Sequence, residues 1–305
     1  MTTGVVIDKR YLDHDMGGWH VESPARIEVL ARMLEEDPPV PYRAVEPRPA
    51  TDAELAFVHE RGYIDLIRST AGKTVPLDAD TIAGPKTLET ALLAAGGFLE
   101  SLDRIMDGTV QNAFSLVRPP GHHAEASRAM GFCFFNNVAV GAAHALEEHG
   151  LERVVIVDFD VHHGNGTEDI FIGDERVLFC SSFQHPFYPH SGADTDAPNV
   201  INLPLPSRTG GAELRAAVEA QWLPRIEAFR PQLVMISAGF DGHAEDDMSH
   251  FNLREQDYAW ITRQLHDLAV RHAQGRVVSC LEGGYSLSAL GRCVSTHIDE
   301  LIGHA

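Results

Sequence analysis

A doubly wound α/β domain on a largely parallel sheet is the fold class predicted here, and three observations predict it. Short β-rich runs alternate along the chain with helical patterns. Runs such as Val154-Val-Ile-Val157 are apolar at every position, as strands covered on both faces should be. No Ser/Pro-rich linker or fixed-period repeat divides the chain, so residues 1–305 read as one domain.

In order, strands are expected at 113–117, 153–159, 177–182, 199–203, 233–237 and 276–281, with a weaker one at 5–8. Between them, residues 87–107 carry apolar Leu88, Ala91, Leu92, Ala95, Leu99 and Leu102, a stripe at helical spacing. Residues 137–149, 212–229, 255–273 and 287–302 behave similarly. Functional residues of such folds collect at the carboxyl ends of strands. Four segments follow a strand and turn polar at once: 118–125, 158–165, 239–247 and 282–285.

Composition narrows the partners. A chain that is 44% hydrophobic and 22% charged has enough apolar matter for a core, which argues against disorder. No uncharged apolar run reaches the roughly 18 residues that span a bilayer. The start, Met1-Thr-Thr-Gly-Val-Val-Ile-Asp, shows no basic region ahead of an apolar one, so a cytoplasmic protein is expected. A formal charge of −20 disfavours a nucleic-acid backbone and is compatible with a small-molecule substrate, cationic or neutral, while solubility accounts for most of that charge at least as well. The four cysteines form no CxxC pair and read as buried thiols.

The strongest chemical signal is Val157-Asp158-Phe-Asp160-Val-His162-His163-Gly-Asn165-Gly166. Asp158, Asp160 and His162 alternate along an extended segment and so face one side. Buried carboxylates need a partner, and no Lys or Arg lies between Asp158 and Glu175. One oxygen and one nitrogen ligand suit zinc or ferrous iron over calcium or magnesium.

In Arg118-Pro-Pro-Gly-His122-His123-Ala-Glu125 the prolines break strand regularity and free both imidazoles to face one cavity. Paired there, they suit a general base and its electrostatic neighbour. In Ser237-Ala-Gly239-Phe240-Asp241-Gly242 small residues end a strand and expose Asp241, which can complete an Asp/His/Asp triad or cap the next helix. In Glu282-Gly283-Gly284-Tyr285 the glycines allow a tyrosine hydroxyl to approach a metal site.

Together these segments resemble the zinc-dependent histone deacetylase and acetylpolyamine amidohydrolase family, most of all its bacterial, class II-type branch. Gly131-Phe-Cys-Phe-Phe-Asn-Asn and His20-Val-Glu-Ser-Pro-Ala-Arg26 match it too, and the likeness runs in order from about residue 10 to 300. It implies the arginase–deacetylase α/β fold, three layers around a largely parallel eight-stranded sheet. It also implies metal ligation by Asp160, His162 and Asp241, with His123 as base and later acid. His122 would be the electrostatic neighbour, with Asp158 behind it and Asn165 behind His123. Tyr285 would donate to the substrate carbonyl. Gly131, Phe132, Tyr188 and Met248 would line the acyl-lysine tunnel, and Arg26 would sit at its inner end. Ser181 with Asp158, Asp160 and His162 would hold a structural K+ or Na+, and homo-oligomers are common in such relatives.

Asn165 stands where class I members have Asp, which should raise the basicity of His123 less. Tyr188 replaces the commoner Phe. Met248 stands where polyamine-selective relatives have Glu. The implied activity is deacylation of an acyl-lysine or another acyl amine. Acetylpolyamine hydrolysis, a catalytically silent acyl-lysine binding module and a two-metal ureohydrolase are the alternatives. The acidic Glu245-Asp246-Asp247, with Asp15 and Glu22, reads as a rim for a cationic partner or as solvated loops.

Overall fold

The computed structural model describes residues 2–36 and 38–303, so both ends of the expected 1–305 domain lie outside the described residues. The strands are β1 (Thr3–Val6), β2 (Tyr42–Ala44), β3 (Val75–Pro76), β4 (Ile82–Ala83), β5 (Asn112–Ser115), β6 (Val154–Asp158), β7 (Val177–Gln184), β8 (Val200–Leu205), β9 (Leu233–Ala238) and β10 (Val277–Leu281). Eight form one sheet in the order β2-β1-β5-β10-β9-β6-β7-β8, with every neighbouring pair parallel. The short β3–β4 hairpin stands apart.

The helices are α1 (Ala25–Glu36), α2 (Asp52–Leu55), α3 (Arg61–Arg68), α4 (Thr87–Met106), α5 (Asn137–Glu147), α6 (Asn165–Phe171), α7 (Gly211–Ala217), α8 (Leu223–Phe229), α9 (Glu255–His272) and α10 (Leu287–Ile302). They cover both faces of the sheet. Val155, Val157, Val234 and Ile236 pack with Trp222, Ile261, Leu265 and Val294 on one side. Val154, Ile156, Met235 and Val278 pack with Phe98, Leu102, Val138 and Ala142 on the other. This two-sided burial is why the strands are apolar at every position, and each such side chain contributes about 1.5–3 kcal/mol.

All seven anticipated strands belong to the large sheet, though 5–8 is shifted to Thr3–Val6 and 113–117 to Asn112–Ser115. The helix expected over 212–229 is interrupted by a π turn at Val218–Trp222. Pro224, which has no N–H for the usual i−4 bond, follows it at the start of α8. Among the described residues no helix is long and apolar enough to cross a membrane. All four cysteines are buried and free.

The strand order positions the chemistry. β5, β10, β9 and β6 stand side by side, and the loops leaving their carboxyl ends are the four polar segments of the sequence.

Candidate active site

Asp160, His162 and Asp241 converge. His162 Nδ1 lies 3.1 Å from Asp160 Oδ1 and 3.1 Å from Asp241 Oδ2, and all three residues are buried. Ligand atoms on a tetrahedral ion with bonds of about 2.0–2.1 Å lie about 3.3 Å apart, so this cluster fits a divalent metal with little adjustment. Its charge also calls for one. Burial opposes ionisation of His162, yet Asp241 and Asp160 overcome it and push the ring up to about 10. Burial and Asp160 push Asp241 up to about 6. Two buried carboxylates thus demand a positive charge between them, which a cation supplies better than a shared proton.

The backbone is cut to fit these carboxylates. A Cβ on Gly283 would lie 2.1 Å from Asp241 Oδ2, and the Gly283 N–H donates to Asp160 Oδ2 over 2.8 Å. Val161 N–H donates to Asp241 Oδ1 over 3.0 Å.

The two histidines are held differently. His122 Nδ1 lies 2.9 Å from Asp158 Oδ2, and its Nε2 is 3.9 Å from Asp160. Burial disfavours its charge, but these carboxylates win and push it up to about 10. His123 is lowered well below the usual histidine range by burial and by its histidine neighbours. The rings lie 4.0 Å apart, and only His123 opens into the cavity described below.

Asn165 sets the tautomer of His123. Its Nδ2 lies 2.8 Å from Glu125 Oε1, a group that only accepts, so its Oδ1 faces His123 Nδ1 at 2.7 Å. His123 Nδ1 therefore carries the hydrogen, and Nε2 is left as a free lone pair. Glu125 was read only as the end of the histidine segment, with no role of its own. Glu282 was read only as part of the tyrosine motif. Its Oε2 accepts the Gly121 and His122 N–H groups at 2.7 and 3.1 Å, and burial pushes it up to about 7.

A cavity of about 220 Å³ opens onto this cluster, lined by Asp80, His123, Gly131, Phe132, His162, Phe187, Tyr188, Met248 and Tyr285. Gly131 and Phe132 turn into it with φ of 56° and 69°. A Cβ on Gly131 would strike the His123 ring at 2.3 Å, so only glycine fits there. Phe132 meets Tyr285 edge to face at 6.0 Å, Tyr188 meets His123 at 5.3 Å, and Phe187 stacks on His162 at 5.6 Å. The hydroxyl of Tyr188 is buried without a partner. Sequence reasoning missed Asp80 and Phe187, which sit in loops without a chemical motif.

Arg26 lies outside the cavity lining, wholly buried. It donates to the carbonyls of Gly284, over 2.8 Å, and Glu282. Ser181 pairs with Asp158 across the β6–β7 register, which places it beside the carboxylates expected around a monovalent cation.

Of the five residues named for an acidic rim, Asp15, Glu245 and Asp247 are exposed, while Glu22 and Asp246 are buried. Glu22 is buried between Arg118, Arg26 and His14. Asp246 is buried and accepts from the N–H groups of Tyr285, Ser286 and Met248 at 2.6, 2.9 and 3.0 Å. Glu245 pairs with Arg292 at 2.9 Å. Glu22 and Asp246 are consumed inside the fold because buried arginines and loop amides need acceptors.

A family model for the histone deacetylase domain matches residues 20–301. A histone deacetylase-like amidohydrolase of Pseudomonas aeruginosa is 38% identical over 94% of this chain and 80% of its own length. A human polyamine deacetylase is 37% identical over 93% of this chain, which spans 45% of that protein. The crystal structure of the HDA15 HD domain matches at a TM-score of 0.92 and 34% identity, covering 99% of this chain and 90% of that one. The fold is therefore the arginase–deacetylase fold anticipated from the sequence. The motif-bearing strand ends, the match along nearly the whole chain and the shared fold lead to one conclusion: the chain belongs to the histone deacetylase family and is a hydrolase acting on amide bonds.

Proposed function

We propose that the protein removes acetyl or other acyl groups from an amine such as acyl-lysine, in a zinc- or ferrous-dependent reaction. The observation that carries this reading is the convergence of His123, His162 and Tyr285 on one narrow aromatic-walled cavity. A divalent ion held by Asp160, His162 and Asp241 would polarise the amide carbonyl and acidify water.

The chain's own groups do the rest. His123 Nε2, free because Nδ1 is committed to Asn165, takes a proton from the attacking water and returns it to the departing amine. His122, charged beside Asp158, keeps that proton from settling permanently on His123. The Tyr285 hydroxyl donates to the carbonyl oxygen as negative charge develops there. Phe132, Tyr188 and Phe187 exclude water around the acyl chain. The products are a carboxylate and a free amine.

Asp80 gives the wall a carboxylate, which favours a substrate carrying N–H donors or positive charge. Acetylpolyamines are the second reading, supported by the human relative's name. A turnover panel of acetyl-lysine peptides, longer acyl-lysines, acetylputrescine and acetylspermidine tests both. Activity on at least one, lost on chelation and restored by zinc, is expected. Binding of these amides without any turnover would leave a silent binding module instead.

A further inference from the structure

We propose that Asp103, His144 and His149 form a second divalent transition-metal site, separate from the catalytic cluster. Asp103 lies on α4, His144 on the last turn of α5, and His149 in the turn that follows. Both imidazoles aim Nε2 at one carboxylate oxygen, Asp103 Oδ1, at 3.0 and 2.7 Å. The rings meet edge to face at 5.2 Å, and one ligand atom from each residue falls within 4.8 Å of the others. Edges of about 3.3 Å on a tetrahedral ion ask these atoms to part by only a few tenths of an ångström.

Ligation through Nε2 puts the ring proton of His144 on Nδ1, which is buried without a partner, so an ion here is held more weakly than one in the catalytic cluster. Two nitrogens and one oxygen exclude calcium and magnesium and select zinc, copper or nickel. Arg48 does not compete for the shared oxygen. Its nearest approach is 3.9 Å to Oδ2, and Glu54 and Glu100 hold its guanidinium at 2.6 and 2.9 Å. The side chain of His149 is 25% exposed, which gives an ion a way in.

The location makes the site independent. α4 ends shortly before β5 and His149 shortly before β6, so the cluster sits by the amino ends of strands whose carboxyl ends carry the catalytic cavity. An ion there would clip α4 to α5 and stabilise the fold by mass action without touching substrate.

The test counts zinc bound per chain of the whole protein after gel filtration. Wild type should take up two ions in excess zinc, the second more weakly. Asp241→Asn should keep one. His149→Ala and the isosteric Asp103→Asn should each keep one and turn over acetyl-lysine peptide like wild type. Zinc should raise the melting temperature of Asp241→Asn by a few degrees and not that of Asp241→Asn/His149→Ala. A wild type that saturates at one ion, or a His149→Ala variant that still takes two, overturns the proposal. The latter result would point to two ions in the catalytic cavity, as in a ureohydrolase.

Discussion

The Arg26 guanidinium lies 5.0 Å from the centre of the Tyr285 ring. It also donates to the carbonyls of Glu282 and Gly284 just before that tyrosine, while Glu22 balances its charge. One residue from the start of α1 thus fixes the loop at the far end of the chain. Arg26→Lys keeps a charge but cannot span two carbonyls. It should cost about 1–3 kcal/mol in urea unfolding, from buried acceptors left unpaired. Turnover should fall mainly in kcat, because the loop that aims Tyr285 loses its clamp. An unchanged kcat alongside the lost stability would mean that Arg26 only holds the fold together.

Acid sensitivity should come from two buried histidines away from the cavity. Burial pushes His59 down to about 4 and His297 down to about 3. Unfolded imidazoles titrate near about 6.5. Both folded values are depressed below the unfolded one, so this stability is fully present above pH ~6.5 and is lost as pH falls from there toward 4 and 3. By pH ~5 each contributes a loss of about 2 kcal/mol. His297→Gln has nothing to titrate at that position. Its unfolding free energy should drop by about 2 kcal/mol less than that of wild type between pH ~7 and pH ~5. Parallel pH curves for the two proteins would contradict this.

What could be read from sequence was what a single segment carries by itself. Val154–Asp158 announces a strand buried on both faces, and Asp158, Asp160 and His162 announce a liganding edge within five residues. Adjacency was beyond its reach. That β10 lies between β5 and β9, bringing Tyr285 to His123, is a matter of strand order, which no local pattern encodes. Glu22 and Asp246 looked like surface acids because their partners, Arg118 and the amides of Tyr285 and Ser286, are distant in sequence. Phe187 and Asp80 carried no motif, and their place in the cavity wall follows from loop packing alone.

Selectivity should hinge on Met248, which lines the cavity with its N–H anchored to Asp246. Nothing in that side chain rewards a second positive charge. Acyl-lysine should therefore be turned over at least as well as acetylspermidine. Met248→Glu would place a carboxylate in the wall that already holds Asp80, and a gain of about 1.4 kcal/mol would shift the kcat/KM ratio roughly tenfold toward acetylspermidine. A wild type that already strongly prefers acetylspermidine would refute the reading of this position.

Tyr285 is given one task, to stabilise charge that exists on the carbonyl oxygen only as the tetrahedral state forms. An interaction made mainly in the transition state lowers kcat when removed and leaves substrate binding nearly untouched. Tyr285→Phe deletes the hydroxyl and keeps the ring, so the edge contact with Phe132 at 6.0 Å and the Arg26 contact at 5.0 Å should survive. The backbone N–H of residue 285 still reaches Asp246, so the loop keeps its anchor. Asp160, His162 and Asp241 are unaltered, and zinc content should equal that of wild type. Removing one oxyanion donor costs about 10²–10³ in kcat, and a loss of that size with KM changed less than about threefold is expected. Single-turnover and steady-state rates on an acetyl-lysine peptide measure both quantities. A Tyr285→Phe variant with near-wild-type kcat would show that the charge is stabilised elsewhere. A rise in KM alone would make Tyr285 a substrate-binding group and remove it from the chemistry.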